Sequence, residues 1–289
     1  MTTILVSASV SVAMVGIDKT NSPTAIAQNS PDNIGAVLLS SKSNSDNNYK
    51  YFMDEKCFFC HNLSMEIKRV RQLSLVLLVI STFFVIALAI LVRYHNFFNL
   101  DVLLSRDFQS ISETASHQIY LYYLMTFVST FGKLIPATIL VAFSALIFNY
   151  YRYYLQALFT LLTPIAAGIN SIIKLIVNRP RPDESLVAVL DRQFDPSFPS
   201  GHVVFYIVFF GFMIIALRTA TRIPKTIRYP KMIFAGLLIL LIPFARVYLG
   251  AHWASDVLGG FLIGTILLST LLLVYFNEKI KHQGSTPNP

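Results

Sequence analysis

Charge is scarce in this sequence. Only 13% of its 289 residues are Asp, Glu, Lys or Arg, about half the share of an ordinary soluble domain. With 54% hydrophobic residues and a mean hydropathy of +0.59, a soluble one- or two-domain protein is excluded, and a bilayer is the solvent to expect. Cysteine is nearly absent as well: two residues, Cys57 and Cys60. With His61 they spell Cys-Phe-Phe-Cys-His, the c-type haem attachment pattern. No partner axial ligand is evident, however, and a redox pair, an adventitious metal site or chance is the better reading. No haem or other cofactor is expected. The apolar stretch Ile4–Val15 lacks a basic leading region, which argues against a cleaved signal peptide. The excess of base over acid, 23 residues against 15, is neither clustered in one soluble module nor interleaved with stacking aromatics. Nucleic acid is therefore not an expected partner.

What is present are long apolar runs. Residues 1–65 are rich in Ser, Asn and Thr and read as a disordered cytoplasmic tail, in which Asn62-Leu63-Ser64 is a chance glycosylation triplet. Residues 66–282 read as one membrane domain and 283–289 as a short cytoplasmic tail. Spanning helices of about 20 residues are predicted at Leu73–Val92, within Ile119–Phe148, and at Leu155–Val177, Val203–Leu217, Met232–Leu249 and Val257–Phe276. The second is softly interrupted by Gly132, Lys133 and Pro136. Leu100–Gln118 reads as an amphipathic surface helix. The fold class is all-α, a polytopic membrane protein of six spans.

Loop charge sets the orientation. Lys68, Arg69 and Arg71 precede span one, and Arg152 follows span two. Arg218, Arg222, Lys225, Arg228 and Lys231 follow span four with no acid among them, and Lys279 and Lys281 follow span six. Alternation puts all four groups on one side, which the positive-inside rule makes cytoplasmic, with both termini. An integral plasma (inner) membrane protein is the expectation.

Polar clusters break the apolar pattern on the opposite side. Lys174, Arg179 and Arg181 end span three, Pro199-Ser200-Gly201-His202 opens span four, and Arg246 ends span five, with His252 and Asp256 leading into span six. Singly, each has an ordinary explanation: Lys174 can snorkel, Arg179 and Arg181 can belong to a turn, Ser200 can cap a helix, and Arg246 can simply pair with Asp256. Together they are harder to dismiss. Ionisable groups at membrane depth cost roughly 2.5–3.5 kcal/mol each on insertion scales and are functional candidates by default. Cations, two histidines and a carboxylate on one face suit the binding and attack of a phosphate.

These clusters resemble the motifs of the type 2 phosphatidic acid phosphatase superfamily, whose core is shared with vanadium haloperoxidases and bacterial acid phosphatases. Lys174-Leu-Ile-Val-Asn-Arg-Pro-Arg181-Pro182 is similar to the first motif, Pro199 to His202 to the second, and Ala245-Arg246 through His252 to Asp256 to the third. The departure is Ala245 where the family usually has Ser. The resemblance covers about Leu73 to Phe276. It implies a phosphate clamp of Lys174, Arg181, Ser200, Gly201 and Arg246, with His252 as nucleophile, His202 as general acid and Asp256 as orienter of His252. It implies no metal. The acids Asp183, Glu184, Asp191 and Asp195 in the intervening loop read as solvated. The expected activity is a membrane lipid phosphate or diphosphate phosphatase acting at the non-cytoplasmic face, with undecaprenyl diphosphate and phosphatidic acid among candidate substrates. A lipid phosphotransferase and a non-catalytic lipid-phosphate binder or transporter are the alternatives, although no internal repeat supports transport. The partners are the lipid substrate and the bilayer; the oligomeric state is not legible.

Overall fold

The computed structural model describes residues 39–40, 51–52, 55–111 and 115–284, with side chains described for 68–111 and 117–281. The chain divides into two units, Met1–Glu66 and Ile67–Pro289. In the first, a two-residue strand β1 (Leu39–Ser40) pairs antiparallel with β2 (Tyr51–Phe52). Helix α1, Glu55–Tyr94, begins inside the stretch read as a tail, so Cys57, Cys60 and His61 lie on helical backbone. The remainder of that tail, and the last residues of the chain, lie outside the described residues.

The second unit is all-α. After α1 come α2 (Asn99–Ser110), α3 (Ala115–Thr130), α4 (Leu134–Tyr150), α5 (Tyr154–Leu162) and α6 (Ile165–Val177). A continuous helix follows, built from α7 (Gly201–Phe205), a π-turn at Tyr206–Phe210 and α8 (Gly211–Thr219), and then α9 (Lys225–Tyr248) and α10 (Ala254–Gly284). Five segments are long and apolar enough to span a membrane: 68–94, 154–177, 201–219, 225–248 and 254–281. The bent pair α3–α4 makes six if it is one span. The apolar composition thus does what it was expected to do, with three local differences. The soft interruption in span two is a 55° bend; the Gly132 turn stops α3 and a fresh helix starts at Leu134. Span three is two helices, because Pro164 supplies no amide to continue α5. The amphipathic surface helix ends at Ser110.

Burial shows which helix is central. In the span 201–219, 56% is buried within the protein, against 11% of 68–94. Val203, Val204, Tyr206 and Phe212 of the central helix are fully enclosed. Around them pack Val128 and Val141 from the bent pair and Leu238 and Ile242 from α9, while Ile263 of α10 meets Val204 and Val208 from another side. The exposed face of α1, with Val79, Phe83 and Ile86, is what a lipid-facing helix requires. The central helix therefore begins, at Ser200-Gly201-His202, inside a ring of other helix ends.

Candidate active site

The site assembles from four helix termini and one long loop. Helix α6 stops because Asn178 takes the left-handed conformation (φ 49°) and returns its amide to the Lys174 carbonyl, a common C-terminal device. Pro180 and Pro182 follow and prevent resumption. Lys174 is thereby left on the last buried turn, and Arg179 and Arg181 on the exit. The loop from Pro180 to Phe198 then crosses the ends of α9 and α10. The amides of Leu190 and Asp191 both bond the Leu249 carbonyl. Gly250, at φ +62°, must be glycine because a Cβ there would meet the Ala188 carbonyl at 2.0 Å. From outside, Gln109 of α2 straps the loop by donating to the carbonyls of Ala188 and Tyr248 and accepting from the Ala188 amide. Arg106 adds a bond to the Leu186 carbonyl.

Three of the expected clamp cations hold carboxylates of this loop. Lys174 Nζ lies 2.5 Å from Asp195 Oδ2 and 2.8 Å from the Pro196 carbonyl. Arg181 Nη2 lies 2.7 Å from Asp195 Oδ1, and its Nε 2.6 Å from the Asp195 carbonyl. Arg246 Nη1 donates to Asp191 Oδ2 at 2.8 Å and to Ser129 Oγ at 2.6 Å. Asp191 and Asp195 were expected to be solvated, and this is corrected. The loop is tied down at Leu249 and Ser197, which swings both carboxylates onto buried cations with no other acid to balance them. Partial burial alone would raise the Asp195 carboxyl, but the hydrogen bond and charge of Lys174, with the charge of Arg181, outweigh it and hold the group at about 2. Asp183 and Glu184 do stay outside, where Asp183 accepts the Ser185 amide and Glu184 pairs with Arg192.

Several donors at the same end have no protein partner. Ser200 Oγ, His202 Nε2, and Nε and Nη2 of Arg246 are all buried and unbonded. Ser200 is the N-cap residue of the central helix, as its position suggested, but its hydroxyl makes no capping bond. His202 sits in the first turn, pressed against Gly132, where a Cβ would meet its ring at 2.4 Å. The bend in span two is what brings that backbone so close. Gly201 is less crowded: a Cβ there would meet only Asn170 Nδ2, at 3.3 Å.

The histidine–aspartate pair differs from the sequence expectation. His252 and Asp256 are four apart, but α10 starts only at Ala254, so His252 lies in the preceding turn. Its Nδ1 is 3.8 Å from Asp256 Oδ2, beyond hydrogen-bond range. Between them stands Ser197, whose Oγ is 2.5 Å from Asp256 Oδ2 and 3.4 Å from His252 Nδ1. On its far side, His252 Nε2 faces Arg181 Nη1 at 3.3 Å. Burial, then the charges of Arg181, Arg246 and Lys174, push the His252 imidazole well below its ordinary pKa, so it is neutral.

Asp256 pairs not with Arg246 but with Arg179. Arg179 is fully buried and donates Nη1 to Asp256 Oδ1 (2.6 Å) and Ser255 Oγ (2.7 Å), Nη2 to Asp101 Oδ2 (2.9 Å) and Nε to the Asn96 carbonyl (3.1 Å). Asp101, buried on α2, also accepts from the Ser255 amide and hydroxyl. Sequence reading placed Arg179 in the polar cluster at the end of span three without giving it a role, and missed Asp101, Ser129, Ser197 and Asn170. No grouping of three or more His, Cys, Asp or Glu suited to a metal occurs among the described residues.

Buried cations, unbonded donors and a neutral histidine thus meet at one end of a helical membrane bundle, an arrangement suited to holding an anion. Comparison with known proteins shows what the chain is similar to: residues 153–280 match the PAP2 superfamily. It is 36% identical over 115 residues to phosphatidylglycerophosphatase B of Bacillus subtilis (strain 168), covering 39% of this chain and 53% of that one. Over 163 residues it is 29% identical to undecaprenyl-diphosphatase BcrC of the same organism, covering 55% and 78%. It is 30% identical over 129 residues to lipid phosphate phosphatase delta of Arabidopsis thaliana, covering 42% and 30%. The chain thus spans about half the length of the first of these relatives. The crystal structure of the first transmembrane PAP2 type phosphatidylglycerolphosphate phosphatase from Bacillus subtilis superposes with a TM-score of 0.53. The identity is 28%, over 70% of this chain and 96% of that one.

Proposed function

We propose that this protein is an integral-membrane lipid phosphatase that hydrolyses a phosphomonoester or diphosphate through a phosphohistidine on His252. One observation carries the reading: the clamp already binds anionic oxygens. Asp195 lies on Lys174 and Arg181, and Asp191 on Arg246. The carboxylate oxygens stand in for the peripheral oxygens of a phosphoryl group, whose transfer depends mainly on positioning and charge stabilisation. Ser200 Oγ and the free Arg246 nitrogens add donors for the remaining oxygens.

His252 Nε2, neutral and beside Arg181, attacks phosphorus. His202 delivers a proton to the leaving alkoxide, and water then releases phosphate from His252. Lipid enters from the bilayer side, and its headgroup from the cavity of about 350 Å3 lined by Arg181, Asp191, Arg192, Phe194 and Gly250. Phosphatidic acid, phosphatidylglycerol phosphate and undecaprenyl diphosphate all fit this description, and relatives whose names carry two of these chemistries favour it. The site faces away from the cytoplasm, since Arg152, Arg222 and Arg228 gather at the other end of the bundle, and both termini are cytoplasmic.

Phosphate release from a lipid panel in detergent with chelator tests the reading, wild type against His252→Ala. We expect turnover in the wild type and none above background in the variant. Undiminished turnover in His252→Ala ends the mechanism, and complete inhibition by chelator makes it metal-dependent. Cysteine labelling in intact cells should reach the Asp183–Asp195 loop and spare Arg218–Lys231; the reverse pattern would invert the orientation.

A further inference from the structure

We infer that Ser197 is a positioning residue that couples Asp256 to His252, so that the orienting pair of this site is a three-member relay rather than a direct contact. The inference deepens the reading of His252 as nucleophile and rests on it.

The distances exclude the direct pair. At 3.8 Å, Asp256 Oδ2 does not bond His252 Nδ1. Nor is Asp256 free to approach. Its Oδ1 is held by Arg179 at 2.6 Å, its Oδ2 accepts the Trp253 amide at 2.9 Å, and the residue is fully buried. Ser197 is fixed just as firmly: its amide bonds the Arg179 carbonyl at 2.8 Å and it too is fully buried. The hydroxyl between them is therefore placed by its backbone.

Donor and acceptor counting then fixes the protons. A serine hydroxyl has one hydrogen and a carboxylate is acceptor-only, so the 2.5 Å contact spends that hydrogen on Asp256. Toward His252 the Ser197 oxygen presents lone pairs only, and it can serve Nδ1 only as an acceptor of Nδ1–H. The other side of the ring gives the same answer independently. Arg181 Nη1 is a donor without acceptor capacity, and it faces Nε2 at 3.3 Å, which requires a lone pair there. Both neighbours thus place the proton on Nδ1 and leave Nε2 to attack.

The step balances without moving a proton through the relay. The Nε2 lone pair forms the P–N bond, the P–O bond to the lipid breaks, and the leaving oxygen takes the proton of His202. The imidazole becomes cationic and keeps Nδ1–H, which tightens onto Ser197 Oγ, while Ser197 O–H tightens onto Asp256. In the second step water forms a P–O bond as P–N breaks; its proton goes to His202, and His252 returns to neutral. Ser197 touches no substrate. Its effect is to transmit the carboxylate charge to the ring when the ring becomes positive, which is a demand on the chemical step and not on binding.

Steady-state kinetics of Ser197→Ala, Ser197→Thr, Asp256→Asn and the Ser197→Ala/Asp256→Asn double variant test this in the detergent-solubilised full chain, with His252→Ala as reference. Ser197→Ala should lower kcat roughly 10- to 100-fold with KM within about threefold, and Ser197→Thr, which keeps the hydroxyl, should restore most of the loss. In the Asp256→Asn background, Ser197→Ala should cost less than about threefold more, because the relay is already broken. A Ser197→Ala enzyme within about twofold of wild type overturns the relay, as does a loss that adds in full to that of Asp256→Asn. If Ser197→Thr does not fold, the double-variant comparison decides alone. Activity retained by His252→Ala refutes the underlying reading instead, and the two failures are told apart by that variant.

Discussion

The two ends of the helical bundle treat their cations differently. At the site end, buried arginine and lysine meet carboxylates: Arg179 with Asp101 and Asp256, Lys174 and Arg181 with Asp195, Arg246 with Asp191. At the basic end, Arg222 meets the Arg152 carbonyl and the face of Tyr153, and Arg228 the Arg218 carbonyl and the face of Tyr229. Arg222 is exposed and needs only a carbonyl, a ring and the aqueous edge of the bilayer. Arg228 is buried but meets a carbonyl and a ring rather than a carboxylate. Charges at the site end are enclosed and must be neutralised by protein or ligand. Cation number is therefore a poor guide to function in this chain. What separates a site from an ordinary membrane edge is burial together with a replaceable counter-anion.

Arg179→Leu should have the largest effect. It would strand two buried carboxylates, Asp101 and Asp256, and breaking a buried pair on one side costs about 3–5 kcal/mol. Thermal unfolding in detergent should show a much less stable protein, whereas Arg222→Gln should melt like wild type. Arg246→Ala comes next and falls on chemistry. One donor of the clamp is typically worth about 3–4 kcal/mol of barrier, so kcat/KM for lipid phosphate should drop about 10²- to 10³-fold while the protein remains folded.

Much of this contrast was legible in the sequence, for a local reason. Lys174, Arg181, Ser200, His202, Arg246, His252 and Asp256 lie at fixed short spacings at the ends of apolar runs, and alternation of spans alone brings those ends together. The partners were not legible because they come from elsewhere. Asp101 lies on a helix read only as amphipathic, and its bond to Arg179 crosses 78 residues. Ser197 is one serine among many until the turn at His252 opens a gap beside Asp256 that a hydroxyl fills. Asp191 and Asp195 looked solvated because loop acids usually are; only the tether of the loop to Leu249 shows that they point inward. The bend at Gly132 was visible as an interruption, but not its use in admitting His202.

If the loop carboxylates are occupants that phosphate displaces, removing one should strengthen anion binding. Asp195→Asn keeps the shape and removes the charge from Lys174 and Arg181. Inorganic phosphate and vanadate should then inhibit lipid hydrolysis at concentrations lower by roughly two- to fivefold, the scale of a partly exposed charge pair. The pH behaviour carries a definite sign. Asp195 titrates at about 2 in the folded protein against about 3.9 in an unfolded chain. The contact is thus fully present above about pH 4 and is lost only as pH falls through about 2. Between pH 5 and 8 the ratio of wild-type to Asp195→Asn inhibition constants should be flat. A ratio that collapses in this window would mean that another group holds the clamp.

The smallest expected effect is at the basic end, and it is the sharpest check on the comparison. Arg222 is exposed and held by a 3.4 Å bond to a carbonyl and by the Tyr153 ring at 5.4 Å. Arg222→Gln removes one charge from a surface where each is worth about 1 kcal/mol of attraction to anionic headgroups. In detergent, kcat and KM should stay within about twofold of wild type, since exposed changes of this kind move energies by about 0.5 kcal/mol or less. In vesicles, a difference should emerge only as the anionic lipid fraction rises, and salt should erase it because the surface field is screened within about 10 Å. A loss of turnover in detergent comparable to that of Arg246→Ala would mean that the basic end communicates with the site, and that burial with a counter-anion is not what divides the two ends.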